Sequence, residues 1–170
     1  SVLNVFEKTN SEFCLKGITC DQNITSLIDI SNRYSCDKLG VAREGLLHDG
    51  NEFLTTKNTV YGIKNFDSFI NDDIDIYILA ISGLSCASLA LKIAETGKPL
   101  IISTGYAGFD DIDRVLDTIN FKNDVAFLQC SSVYPAEANQ INLNVIPEMI
   151  NRYPNNIIGY SGHDSGILIP

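Results

Sequence analysis

Short apolar runs alternate along this chain with stretches in which apolar residues recur every three or four positions. Seven runs read as strands: Glu12–Thr19, Asp37–Ala42, Thr59–Ile63, Ile74–Ser82, Pro99–Thr104, Asp124–Ser132 and Asn156–Ser161. Several are apolar almost throughout, as in Ile76–Ile81 and Leu100–Ile102. Such runs mark strands buried on both faces, the situation in a parallel sheet. Between them, Ala87, Ala90, Leu91 and Ala94 share one helical face. Ile112, Val115, Leu116 and Ile119 share a second, and Val145, Ile146, Met149 and Ile150 a third. Asn23–Tyr34 predicts a further helix and Phe66–Asn71 a short one. Gly97 supplies a left-handed cap and Pro99 cannot continue a helix, so Thr96-Gly97-Lys98-Pro99 stops one element and starts the next. Tyr153-Pro154 ends the last helix for the same steric reason. The alternation predicts an α/β fold with about seven mostly parallel strands. Arg43–Lys57 is polar, contains Gly45 and Gly50, and reads as a loop.

Composition narrows the function classes. The 170 residues suit one ordinary domain, and 45% hydrophobic with 19% charged residues is a globular mixture. Ser1 begins inside an apolar helical pattern and Pro170 follows an apolar run, so both read as cut ends. Lys+Arg number 12 and Asp+Glu 21, a net charge of -9. That balance argues against nucleic acid and anionic membranes as partners, since both need basic patches. No apolar run reaches the roughly 20 residues of a membrane span. The five cysteines, Cys14, Cys20, Cys36, Cys86 and Cys130, lack the spacing of zinc or redox motifs. They read as reduced, mostly buried residues of a cytoplasmic protein.

Ligands of parallel α/β folds bind beyond the carboxyl ends of the strands. Three successive strands end in small hydroxyls, two of them with glycine: Ser103-Thr104-Gly105, then Cys130-Ser131-Ser132-Val133-Tyr134-Pro135, then Ser161-Gly162-His163-Asp164. Together they suit a cup for a phosphate or carboxylate; singly, each also suits a turn or helix cap. His163 sits where it could ligate a metal, carry a proton or serve structure alone. Tyr134 could position a polar substrate or pack its loop. Glu137 and His48 read as solvated.

From about residue 98 to 170 the chain resembles the sialic acid synthase (NeuB) family. GKPLIISTGYAGFDDIDRVLDTI is similar to that family's GKPxIxSTGmA strand and helix. VAFLQCSSVYPAEANQINLNVIPEMINRYPNNIIGYSGHDSGILIP is similar to its LxCxSxYPxxxxxxNLxxIxxLxxxFP...GxSDH stretch. The resemblance implies part of a (β/α)8 barrel that condenses phosphoenolpyruvate with an N-acyl-mannosamine-type amino sugar. It implies Ser82, Ser103, Ser132 and Ser161 as substrate-binding residues around phosphoenolpyruvate. It also implies Tyr134 facing the sugar and His163 ligating a divalent metal, Mn²⁺ or Mg²⁺.

The pattern is incomplete. The SDH of the family reads Ser161-Gly162-His163, without its acidic neighbour. The usual KIAS strand aligns with Leu79-Ala80-Ile81-Ser82, so its lysine is Leu79. The family's Asn-His-Asn-Gly and Lys-Phe-Gln stretches are missing, and Leu47-His48-Asp49-Gly50 is only a faint echo of the first. The chain ends before the eighth strand that carries a second metal histidine.

Residues 1–97 resemble the NADPH domain of deoxyxylulose-phosphate reductoisomerase, in SVLNVFEKTNSEFCLKGIT, NITSLIDISNRY and DIDIYILAISGLSCASLALKIAETGK. The glycine-rich GSTGSIG turn and LANKE strand end of that family are absent, which argues against NADPH. The division expected is thus a Rossmann-like segment, 1–97, joined to partial barrel units, 98–170. A barrel wall of this size leaves edges open, so either one continuous sheet or a homodimer is expected. Three functional readings follow: a sialic acid synthase-like fragment or divergent member, a non-catalytic α/β subunit or scaffold with a vestigial anion site, and a reductoisomerase-like oxidoreductase.

Overall fold

The computed structural model describes residues 13–43, 58–71, 73–81, 87–119 and 124–164. They fall into two compact units, Ser1–Phe69 and Ile70–Pro170. Ser82, His48, Cys86 and the expected helical start at Ser1 lie outside the described residues.

The first unit holds β1 (Gly17–Cys20), α1 (Ile24–Arg33), β2 (Lys38–Val41), β3 (Asn58–Tyr61) and a 3-10 turn over Ile63–Phe69. Its three strands pair in chain order and all parallel. Asn23 caps α1 by accepting the Ser26 N–H at 3.1 Å, the side-chain bond that starts many helices. Leu27 on α1 buries against Leu39 and Val41 on β2 and against Cys36. Ser31, fully buried, donates to the Cys36 carbonyl at 2.7 Å, so its hydroxyl is satisfied inside the core. Lys38 donates to the Ser68 carbonyl and lies over the Phe69 ring, which ties the 3-10 turn to β2. β1 is shorter than the pattern predicts: its ladder with β2 covers only four residues.

The second unit holds β4 (Tyr77–Leu79), α2 (Ala87–Glu95), β5 (Leu100–Ser103), α3 (Phe109–Ile119), β6 (Val125–Cys130), α4 (Val145–Arg152) and β7 (Ile157–Ser161). These strands also pair in chain order and all parallel. The α/β fold with parallel strands is therefore the one expected. The first unit holds a sheet of three described strands and the second a sheet of four. The connection from β3 to β4 carries a 3-10 turn in place of a crossover helix, and β4 pairs with β5. The compact division also falls earlier than the 97/98 change in resemblance, since β4 and α2 belong with the second unit.

Strand alternation gives the second sheet two unlike faces. Tyr77, Leu79, Leu100, Ile102, Val125 and Phe127 are buried on one face. Helices supply the matching surface with Leu89, Ala90 and Ile93 of α2, Ile112 and Leu116 of α3, and Met149 of α4. Fully burying a Leu or Phe of this kind contributes about 1.5–3 kcal/mol. Gly97 has φ +72°, the left-handed stop expected after α2. Position 79, aligned with the family's lysine, lies on the helix-covered face at 3% exposure. The opposite face carries Ile78, Ile101, Ser103, Leu128, Cys130, Ile157 and Ser161, and there Ile78 and Ile157 remain exposed.

Candidate functional site

Register decides which side chains meet at the carboxyl ends of β5, β6 and β7. Ser103 pairs with Leu128, and Leu128 with Gly159. Cys130 pairs with Ser161 two residues further on. Registered neighbours in a parallel sheet point to the same side, so Ser103, Cys130 and Ser161 all lie on the face away from the helices.

The Cys130 sulfur is the meeting point. Ser161, Ser132 and Gly105 lie around it and their polar groups favour its thiolate. Burial nevertheless pushes its thiol pKa above the usual range, and these groups offset only part of that. Gly105 admits the contact because it has no side chain: a Cβ there would lie 2.3 Å from Ser132 Oγ and 3.4 Å from the sulfur. Thr104 is buried, and its Oγ1 and N–H both donate to the Leu128 carbonyl, at 3.0 and 2.9 Å. It pins the turn and does not face the cup. Ser131 is likewise structural, donating to the carbonyls of Gln140 and Ile141 at 2.7 and 3.1 Å.

His163 closes the group from the β7 end. Its Nδ1 lies 2.9 Å from the Ser131 carbonyl and 3.8 Å from Cys130 Sγ. A carbonyl can only accept, so Nδ1 carries a proton, and in the neutral ring the lone pair is on Nε2. A metal-binding or proton-accepting histidine is held in this way. The Tyr134 ring packs on the imidazole at 4.0 Å between centroids and 32° between planes. Burial first, then the proximity of Cys130 and Tyr106, raises the Tyr134 pKa. The Tyr134-Pro135 peptide is cis. Among the described residues no three His, Cys, Asp or Glu side chains converge as a metal centre. His163 therefore fits a metal as one donor, of a set that the described residues do not complete.

The missing acidic neighbour has a local answer. A Cβ at Gly162 would lie 2.8 Å from Asp164 Oδ1 and 2.7 Å from Tyr160 Cε1. The Asp164 carboxylate thus fills the space next to position 162, where it accepts the Tyr160 hydroxyl at 2.9 Å. Burial, then this bond, pushes the Tyr160 pKa up to about 12.

The structure thus sets Ser103 and Ser161 on one face of the sheet at nearby strand ends, Ser132 against Gly105, and Tyr134 on the His163 ring. It adds Cys130, which spacing alone treated as a small core residue. Among the described cysteines only Cys36 is buried, Cys14 is exposed, and Cys20 and Cys130 lie between, which corrects the expectation of mostly buried thiols. The signal for Cys130 was its place as the last strand residue before Ser131-Ser132.

The NeuB family model matches residues 49–170, so the match reaches back across β3 and β4. The chain belongs to the NeuB family. A relative in this family's range, human N-acetylneuraminate-9-phosphate synthase, is 40% identical over 79 residues, 46% of this chain and 22% of that protein. The N,N'-diacetyllegionaminic acid synthase of Campylobacter jejuni is 24% identical over 131 residues, 75% of this chain and 39% of that protein. The chain spans well under half the length of these curated relatives. The solved N-acetylneuraminic acid synthetase of Leptospira borgpetersenii superposes with a TM-score of 0.58 at 21% identity, covering 93% of this chain and 67% of that one. The reductoisomerase of Zymomonas mobilis also gives a TM-score of 0.58, at 17% identity, over 74% of this chain and 34% of that one. At such identities both likenesses speak for the fold alone. The NeuB assignment rests on sequence, and the reductoisomerase likeness is secondary.

Proposed function

We propose that this chain carries the phosphoenolpyruvate cup of a nonulosonic-acid synthase, the enzyme class that joins phosphoenolpyruvate to an N-acyl-mannosamine-type sugar. In that reaction the enol carbon bonds to the sugar's aldehyde carbon, water adds at the neighbouring carbon and phosphate leaves. The observation that carries the reading is the register that sets Ser103, Cys130 and Ser161 on one face at three neighbouring strand ends, with Ser132 against Gly105 and His163 beside Cys130. Ser103, Ser132 and Ser161 would donate to the phosphate and carboxylate oxygens. These donors are neutral, so the cup orients the anion while balancing little of its charge. Tyr134, stacked on His163, would hold the sugar against the imidazole edge. His163 Nε2 would bind a divalent cation, Mn²⁺ or Mg²⁺, which when bound polarises the aldehyde oxygen.

Calorimetric titration tests the reading. Phosphoenolpyruvate should bind the full chain, and Ser132→Ala with Ser161→Ala should weaken it by about tenfold or more, one missing charge-assisted bond being worth that much. Absence of binding to the unsubstituted chain would sink the proposal. The exposed Ile78 and Ile157 on the helix-free face support the homodimer as part of the same reading. Light scattering that gives the mass of one 18.7 kDa chain would overturn that part.

A further inference from the structure

Tyr106 stands out at the mouth of the cup. The Ala107 N–H donates to the Thr104 carbonyl at 3.0 Å, closing a four-residue turn with Tyr106 in its third position. There Tyr106 has φ +62°. A left-handed residue at this place in a turn is ordinarily glycine or asparagine, and a bulky side chain is strained. Packing does not offset the strain, because the side chain is 82% exposed. The turn itself is firmly set, by Thr104 on one side and by Gly105 against Ser132 on the other. Tyr134, on the neighbouring strand end, is 67% exposed. Val133 beside it is exposed as well. The family pattern quoted above has methionine where this chain has Tyr106.

We propose that Tyr106 is a specificity-determining residue, forming with Tyr134 an aromatic mouth that grips the carbon-rich face and acyl group of the sugar. This rests on the reading of the cup as a phosphoenolpyruvate and sugar site. A rigid aromatic ring with one polar tip suits a ligand that is apolar on its faces and polar at its edges. Strain kept at an exposed position beside a site is accounted for when the side chain works on a ligand.

The test uses the full chain with phosphoenolpyruvate and N-acetylmannosamine as probes, the sugar followed by saturation-transfer NMR. Tyr106→Gly should raise the melting temperature by a few degrees, since glycine accepts this φ freely. The same variant should leave phosphoenolpyruvate affinity unchanged and weaken the sugar by about tenfold. Tyr106→Phe should keep most of the sugar affinity. Unchanged sugar affinity in Tyr106→Gly would overturn the proposal. So would a fall in melting temperature together with lost sugar binding, because Tyr106 would then be a packing residue. An unsubstituted chain that binds phosphoenolpyruvate without the sugar would overturn this inference alone, and one that binds neither would remove the reading beneath it.

Discussion

His163 donates its Nδ1 proton to the Ser131 carbonyl, 2.9 Å away, and this bond orients the ring on which Tyr134 stacks. In the neutral ring the lone pair is then on Nε2. Long-range nitrogen NMR should show His163 in that single tautomer. His163→Gln should lower Mn²⁺ affinity at least about tenfold, the scale of loss for disturbed metal sites. A ring exchanging between both tautomers would contradict the geometry.

Gly105→Ala should damage the cup without replacing any polar side chain. Its Cβ would enter 2.3 Å from Ser132 Oγ, so the serine must turn away or the strand end must shift. Overpacking of this kind costs about 1–3 kcal/mol, and denaturant melts should reveal it. Phosphoenolpyruvate binding should fall with it. Full affinity in the alanine variant would show that Ser132 is not a binding group.

The seven strands were legible because parallel strands are written as continuous apolar runs, and Gly97 and Pro99 mark the stop between α2 and β5. The strand ends were legible by position, since hydroxyls there repeat on β5, β6 and β7. Two things were not. Cys130 looks like any core cysteine until register sets it beside Ser161. The role of Asp164 was hidden because a motif reading aligns residues by order, whereas space beside Gly162 is filled by a side chain two residues away. Lengths were overestimated for β1 and β4, because apolar residues continue beyond the paired positions of each ladder.

Alkaline pH should destabilise the second unit in a definite window. Burial is the main cause that raises Tyr153 and Tyr160 to about 12, against 10.0 for a free tyrosine. A raised folded pKa means that the neutral hydroxyl is favoured in the folded state. The stabilisation is therefore complete below pH 10 and is lost as the pH rises toward about 12. Stability curves of Tyr153→Phe and Tyr160→Phe should be flatter across that range. Equal slopes in the variants would be the contrary result.

Tyr153→Phe should also cost stability at neutral pH. The hydroxyl donates to Asp113 Oδ1 at 2.9 Å, while Arg152 holds the same carboxylate at 2.5 Å and its bond lowers the Asp113 pKa. Removing one bond of this cluster should cost about 1 kcal/mol, which for a chain of this size lowers the melting temperature by about 2–4 °C. An unchanged melting temperature would mean that water replaces the hydroxyl freely.

Thiol labelling should separate the described cysteines. Cys14 is exposed, whereas burial raises the pKa of Cys20 and Cys130 and so lowers their thiolate fraction. Iodoacetamide should therefore modify Cys14 first. Phosphoenolpyruvate should slow Cys130 further and leave Cys20 unaffected, as peptide mass spectrometry can follow. Equal protection of both would point to global tightening in place of a local cup.

The crowding of Asp164 against Gly162 makes these two positions epistatic. An acidic side chain introduced at 162 alone meets a like charge and the Tyr160 ring within van der Waals distance. Loss of Asp164 alone leaves the Tyr160 hydroxyl without its acceptor. Each single step is unfavourable, while exchanging both removes the like charge and leaves the Tyr160 ring to shift. Substitutions at the two positions should therefore be non-additive, with the double exchange costing less than the two single losses together.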